Sequence, residues 1–153
     1  MASTRIQDLT EKTKLAKDDL IFVSDSEDLS GSYLKAKKVK VSSLGLLNAS
    51  YAIGSIGGGT QDLDLDNGSV FSATVDSATT TFTFSNPLTS GQICKFKLIL
   101  TNGGSQTVNW PASVVWAGGT GPSLTASGVD VLEFFTIDGG STWYGESIGL
   151  DFS

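Results

Sequence analysis

From residue 60 onward the apolar positions recur with a period of two. Leu63 and Leu65 alternate with Asp62, Asp64 and Asp66, the pattern of a half-buried strand. Asn67-Gly68 follows as a strong two-residue hairpin signal, because both central positions of such a turn favour positive φ. Val70 to Val75 then places Phe71, Ala73 and Val75 on one face, and Thr79 to Phe84 alternates threonine with Phe82 and Phe84. Gln92 to Thr101 is apolar on both faces except at Lys95 and Lys97, which predicts a central strand. Val108 to Trp110, Val114 to Trp116, Val129 to Ile137 and Thr142 to Gly145 complete the set. Asn102-Gly103-Gly104 marks a turn and Asp138-Gly139-Gly140 a second hairpin. Short strands rich in Val, Thr and Phe predict a mainly β fold, an antiparallel β-sandwich or jelly roll. Phe82, Phe84, Phe96, Leu98 and Leu100 are expected on inward faces, with Phe134 or Phe135 opposite them.

Before residue 49 the pattern breaks down. Asp8 to Glu11 and Asp18-Asp19 read as turn or cap chemistry, and Leu20-Ile21-Phe22-Val23 is a short apolar strand. Tyr33 to Val41 alternates only imperfectly, and Val41 to Leu47 reads as a short helix capped by Ser42 or Ser43. These few apolar residues cannot make a core of their own. A docking role follows, in which Leu20, Ile21, Phe22 and Val23 add a strand to the exposed sheet edge of a neighbour.

Charge and composition sharpen that division. Residues 1–48 hold eight basic and seven acidic residues, for a net of +1. Residues 49–153 hold two basic and nine acidic ones, for a net of −7. Of 18 glycines, 16 follow residue 48, as do 12 of the 14 aromatics. The expected organisation is therefore an attachment segment over 1–48, a flexible Gly-rich connector over 49–59 and a β body over 60–153. At 153 residues the chain is long enough for one sizeable core.

Composition also excludes chemistry. The chain has no histidine, which removes imidazole triads, general bases and metal ligands. One cysteine, Cys94, allows neither an internal disulfide nor a multi-cysteine zinc site, and its place in an apolar strand makes it a core residue. A net charge of −6 is the wrong sign for neutralising phosphates, so no nucleic-acid partner is expected. Lys95 and Lys97 read accordingly as a solvated strand face. No apolar run reaches the roughly 18 residues of a membrane span, so no membrane insertion is expected. Met1 to Leu9 lacks an apolar signal core, which predicts synthesis in the cytoplasm without secretion.

The remaining candidates are weak. Asp62, Asp64 and Asp66 resemble the opening of a calcium loop, but its sixth and twelfth positions fall on Asn67 and Ala73, where glycine and glutamate are needed. Solvent-facing aspartates on an amphipathic strand are the better reading. Asp130, Glu133 and Glu146 are the carboxylates available for a glycosidase pair, yet Asp130 and Glu133 are an odd interval apart and point to opposite faces of a strand. Gly57-Gly58-Gly59 and Gly118-Gly119-Thr120-Gly121 lack the Lys-Ser/Thr ending of a phosphate loop. No catalytic residue, cofactor or metal is expected. Trp110, Trp116, Trp143 and Tyr144 read as core and interface anchors, with glycan stacking as their other use.

Several stretches resemble proteins of tailed-bacteriophage particles. In the body these are Val70-Phe71-Ser72-Ala73-Thr74, Thr81-Phe82-Thr83-Phe84-Ser85-Asn86-Pro87, Thr107 to Val114 and Phe134 to Gly145. In the N-terminal part they are Arg5 to Thr10, Asp18 to Val23 and Lys38 to Leu44, which resemble the attachment segments that open phage fibre and head-fibre proteins. The resemblance implies a non-enzymatic virion protein, a capsid decoration or short fibre. It further implies a homotrimer in contact with other capsid or tail proteins. A tail-associated adhesin recognising a host surface glycan is the alternative it leaves open.

Overall fold

The structure, a computed structural model, describes residues 20–24, 36–40 and 50–153. The chain divides into two compact units, Met1–Leu47 and Asn48–Ser153. In the first, strand β1 (Leu20–Ser24) pairs antiparallel with β2 (Ala36–Lys40), with Leu20 opposite Lys40 and Ser24 opposite Ala36. The expected turns at Asp8–Glu11 and Asp18-Asp19 and the short helix over 41–47 lie outside the described residues.

The second unit is all strand and turn. Its elements are β3 (Ser50–Ile56), β4 (Gly59–Asp64), β5 (Val70–Val75), β6 (Thr80–Ser85), β7 (Cys94–Thr101), β8 (Val108–Asn109), β9 (Val114–Trp116), β10 (Val129–Thr136) and β11 (Trp143–Phe152). From β3 to β8, successive strands alternate between two sheets. Strands β3, β5 and β7 are neighbours in a six-stranded sheet of order β3-β5-β7-β10-β11-β9, while β4, β6 and β8 form a three-stranded sheet. All four pairings within these two sets are parallel. The chain thus winds three times between the sheets. Strand β10 then pairs antiparallel with both β7 and β11, and β9 lies parallel to β11 at the edge.

This pairing corrects the antiparallel arrangement expected from the turn signals, which holds in this unit only for β7, β10 and β11. Asn67-Gly68 closes no hairpin. Leu65–Asn67 instead form a 3-10 turn that carries the chain to the other sheet, and the Asp64 carboxylate caps it by accepting from the Asp66 N–H at 3.0 Å. Leu65 therefore leaves the strand that alternation gave it. The reason is physical: period and turn chemistry say where a strand stops, not which strand it will lie beside. Parallel neighbours need a crossover, commonly a helix. Here a strand of the opposite sheet serves instead.

A second correction concerns the connector. Ser50–Ile56 is not a flexible linker but an edge strand, in parallel register with β5 from Ser50↔Val70 to Ile56↔Val75. Its glycine and serine lower its intrinsic strand preference. The β5 ladder and the burial of Ile56, 4% exposed, outweigh that loss.

Asp138-Gly139-Gly140 does close a hairpin, between β10 and β11. Gly139 and Gly140 take φ of +72° and +85°, where a side chain would be strained. The Thr136 hydroxyl accepts from the Asp138 and Gly140 N–H groups, and the Asp138 carboxylate accepts from the Thr142 N–H at 2.9 Å and the Thr136 hydroxyl at 2.7 Å.

One core unites the inward faces of both sheets. Leu63 and Phe82 come from the three-stranded sheet; Phe71, Phe96, Leu98, Leu100, Leu132, Phe134 and Trp143 come from the six-stranded one. Strand β7 alternates as expected, with Cys94, Phe96, Leu98 and Leu100 buried and Lys95 and Lys97 exposed. Phe84 reaches across to Phe96, Phe134 and Trp143 at ring distances of 4.9, 5.1 and 5.4 Å. Phe134 is not opposite Phe96, as expected, but beside it in the same sheet, stacked at 5.1 Å. Phe135, one residue on, faces outward and stacks on Tyr144 at 5.0 Å.

Candidate functional site

The carboxylates are structural ties. Asp130 is fully buried, and it accepts from the Thr125 N–H and hydroxyl, both at 2.7 Å, and from the Asp151 N–H at 3.1 Å. It pins the loop before β10 to the end of β11. Glu133 points the other way, as parity requires, and its carboxylate lies 3.8 Å from the Lys97 ammonium. Asp62 accepts from the hydroxyls of Thr83 (2.7 Å) and Ser85, and Asp64 from the Asn86 amide at 2.8 Å, so both stitch β4 to the neighbouring β6 and the residue just after it. These aspartates sit on an amphipathic strand as expected, but they hold cross-strand partners rather than water alone. Asp138 is held below the usual carboxylate range, chiefly by the Thr142 N–H and then by the Thr136 hydroxyl. Among the described residues no cluster of Cys, Asp and Glu has the geometry to hold a metal ion.

The four singled-out aromatics separate. Trp143 is 1% exposed and belongs to the core. Trp110 stacks on Phe82 at 5.4 Å and meets Trp116 edge-on at 5.6 Å, so both partly buried rings extend the core toward the sheet edge. A Cβ on Gly145 would come within 2.8 Å of the Trp116 ring, and only glycine at 145 lets that indole lie flat on β11. Tyr144 alone of the four is substantially exposed, at 43%. Leu20 to Val23 form β1, and one of the two edges of that strand is already taken by β2 of the same chain.

The outward side of β7, β10, β11 and β9 gathers groups that the chain order scatters. Cross-strand register places Lys95, Phe135, Tyr144 and Val115 in one row. The next row holds Lys97, Glu133 and Glu146, and the rows beyond hold Ile99 with Val131, then Val129 with Phe152. Among the described residues, six of the nine exposed large hydrophobic side chains lie on or beside β9, β10 and β11: Val115, Ile137, Tyr144, Ile148, Leu150 and Phe152. A shallow depression of about 330 Å³ opens among Val115, Trp116, Phe135, Tyr144 and Glu146.

Sequence reading missed this side because it ended the last strand at Gly145. Strand β11 runs on to Phe152, and the alternation of Ile148, Leu150 and Phe152 was the signal available. No protein-family model, curated protein or solved structure matches this chain.

Proposed function

We propose that the chain is a non-enzymatic structural protein of a tailed-bacteriophage particle. In this reading the unit ending at Leu47 attaches to capsid or tail proteins. The unit beginning at Asn48, a β-sandwich in which two sheets close on one core, projects from the surface as a decoration or short fibre. The protein assembles as a homotrimer, is made in the host cytoplasm without a signal peptide, and needs no cofactor. The observation that carries the reading is the use of the polar groups of the body. Asp62, Asp64, Asp130 and Asp138 each hold neighbouring hydroxyl, amide or backbone groups, the arrangement of a scaffold. The stretches that resemble phage proteins also coincide with β5, β6, β8, β9 and the β10–β11 hairpin, which supply much of the core. A glycan-binding adhesin has less support, since Tyr144 is the one substantially exposed ring of the four candidates.

The test is incorporation. Particles assembled with the full chain, or with a chain beginning at Asn48, are purified by density-gradient sedimentation and probed for the body. The full chain should travel with particles, and the shortened chain should stay folded in the supernatant. A full chain absent from purified particles refutes the virion reading. Equal incorporation of the shortened chain refutes the attachment role of residues 1–47.

A further inference from the structure

The outward sides of the two sheets differ in a way that water does not explain. Apolar exposure is concentrated on β9, β10 and β11, and contiguous exposed apolar area on a folded domain marks a contact site. The charges on the same side are arranged awkwardly for an isolated chain. Glu133 and Glu146 are directly opposite one another on adjacent antiparallel strands, a placement that is unfavourable for like charges. One cation, Lys97, lies beside Glu133 at 3.8 Å, and among the described residues Glu146 has no cation and Lys95 no carboxylate within salt-bridge reach. Lys95 and Lys97 are also the only basic residues after residue 48, against nine acidic ones. An acidic partner that approaches the body elsewhere meets like charge. On this side two lysines offset the two glutamates, and Lys95 is left to meet a carboxylate from the partner.

We propose that the outward side of β10 and β11, with Val115 beside it, is the surface through which copies of this chain bind one another. The occupant is a second body, which brings the acidic charge that Lys95 complements and apolar side chains to meet Val115, Tyr144, Ile148 and Phe152. Burial of these side chains contributes the attraction, and exchange of Lys95 and Glu146 between copies sets the register. The contact relieves the Glu133–Glu146 opposition, since Glu146 gains Lys95 of the other copy while Glu133 keeps Lys97 of its own chain. This inference rests on the homo-oligomeric part of the function proposed above and assigns its surface to the body rather than to Leu20–Val23.

The experiment uses the full-length chain and light scattering coupled to size-exclusion chromatography over a wide concentration range. The wild type should be oligomeric. Ile148→Asp with Phe152→Asp should weaken self-association by roughly a hundredfold or more, because truncated or charged anchors at the centre of an interface are the costly ones. Circular dichroism should show the β body unchanged. Charge exchange guards against a merely damaged surface. Lys95→Glu and Glu146→Lys should each weaken association by roughly tenfold, and the double exchange should restore most of it. Ile21→Asp with Val23→Asp should leave the oligomer intact. A wild-type chain that stays monomeric overturns both the oligomer and its surface. A wild-type oligomer that persists in the Ile148/Phe152 variant but dissociates in the Ile21/Val23 variant overturns the surface alone and returns the contact to β1.

Discussion

The outward side of the three-stranded sheet and the outward side of β10 and β11 belong to the same compact unit, yet they are built for different surroundings. On the first, Thr83 and Ser85 donate to Asp62, Asn86 donates to Asp64, and Asn109 donates to Thr81 at 3.4 Å. Each carboxylate there has a neutral donor, and the side chains are short. The second side carries a stacked Phe135–Tyr144 pair, a row with two glutamates opposed, and a run of half-exposed aliphatic and aromatic groups. A sheet surface meant for water can satisfy itself with hydroxyls. A surface meant for another protein retains apolar area and unbalanced charge that only the partner completes.

Five substitutions test that contrast, and the largest effect lies beneath both surfaces. Phe96 is buried between Phe71, Phe84, Phe134 and Trp143, so Phe96→Ala should cost about 3–5 kcal/mol by chemical denaturation. A loss near zero would mean that the two sheets do not share a core, and the comparison of their outer sides would lose its frame. Asp130→Ala should cost about 2 kcal/mol, because it strips the acceptor from the Thr125 and Asp151 N–H groups and loosens the end of β11. Faster hydrogen exchange at residues 149–152 is the accompanying sign. Unchanged exchange there would show that Asp130 does not hold the strand that carries Phe152.

The contrast itself is tested by a matched pair. Asp62→Ala on the polar side should cost about 1 kcal/mol, the usual worth of hydrogen bonds at a partly exposed site. Phe152→Ser on the apolar side should move the stability of the dilute chain by no more than about 0.5 kcal/mol, since the ring is already 53% exposed. Should Phe152→Ser prove the more damaging in dilute solution, the apolar side would be packing for the monomer and not a surface held for a partner.

The smallest effect is a pH slope at the hairpin. Asp138 is held ionised by the Thr142 N–H and the Thr136 hydroxyl, so its folded pKa lies below its unfolded one. Its contribution is complete above the unfolded value of about 3.9 and is lost as pH falls through the lower folded value. Asp138→Asn should therefore lower thermal stability slightly at neutral pH and flatten the acid limb below about pH 4. Identical acid limbs in melting curves of the two proteins would show that the Thr136–Asp138–Thr142 contacts do not hold the hairpin.

Much of the strand content was legible because it depends on neighbours along the chain. Val70–Val75 and Cys94–Thr101 announce their buried sides by alternation, and β7 came out as a central strand because Ile99 adds apolar character to its second side. The Asp138-Gly139-Gly140 turn was legible for the same reason: two positive-φ glycines after an aspartate close a hairpin through local hydrogen bonds. Asn67-Gly68 has equally good turn chemistry and closes none, because a turn signal is silent about the sheet the next strand will join.

What the chain order alone determined is the set of short strands, the inward identity of Phe71, Phe82, Phe96 and Leu98, and the separation of a charged N-terminal part from an acidic, aromatic body. Only the tertiary structure decided that successive strands alternate between sheets and pair in parallel, and that Ser50–Ile56 is a strand at all. It also decided that Trp143 belongs inside while Tyr144 faces out beside Val115 and Phe135. The physical reason is range. Alternation and turn preference arise from contacts a few residues apart, whereas the row that joins Lys95, Phe135, Tyr144 and Val115 also depends on pairing Phe135 with Lys95 and Tyr144 with Val115, across strands dozens of residues apart, which no local pattern encodes.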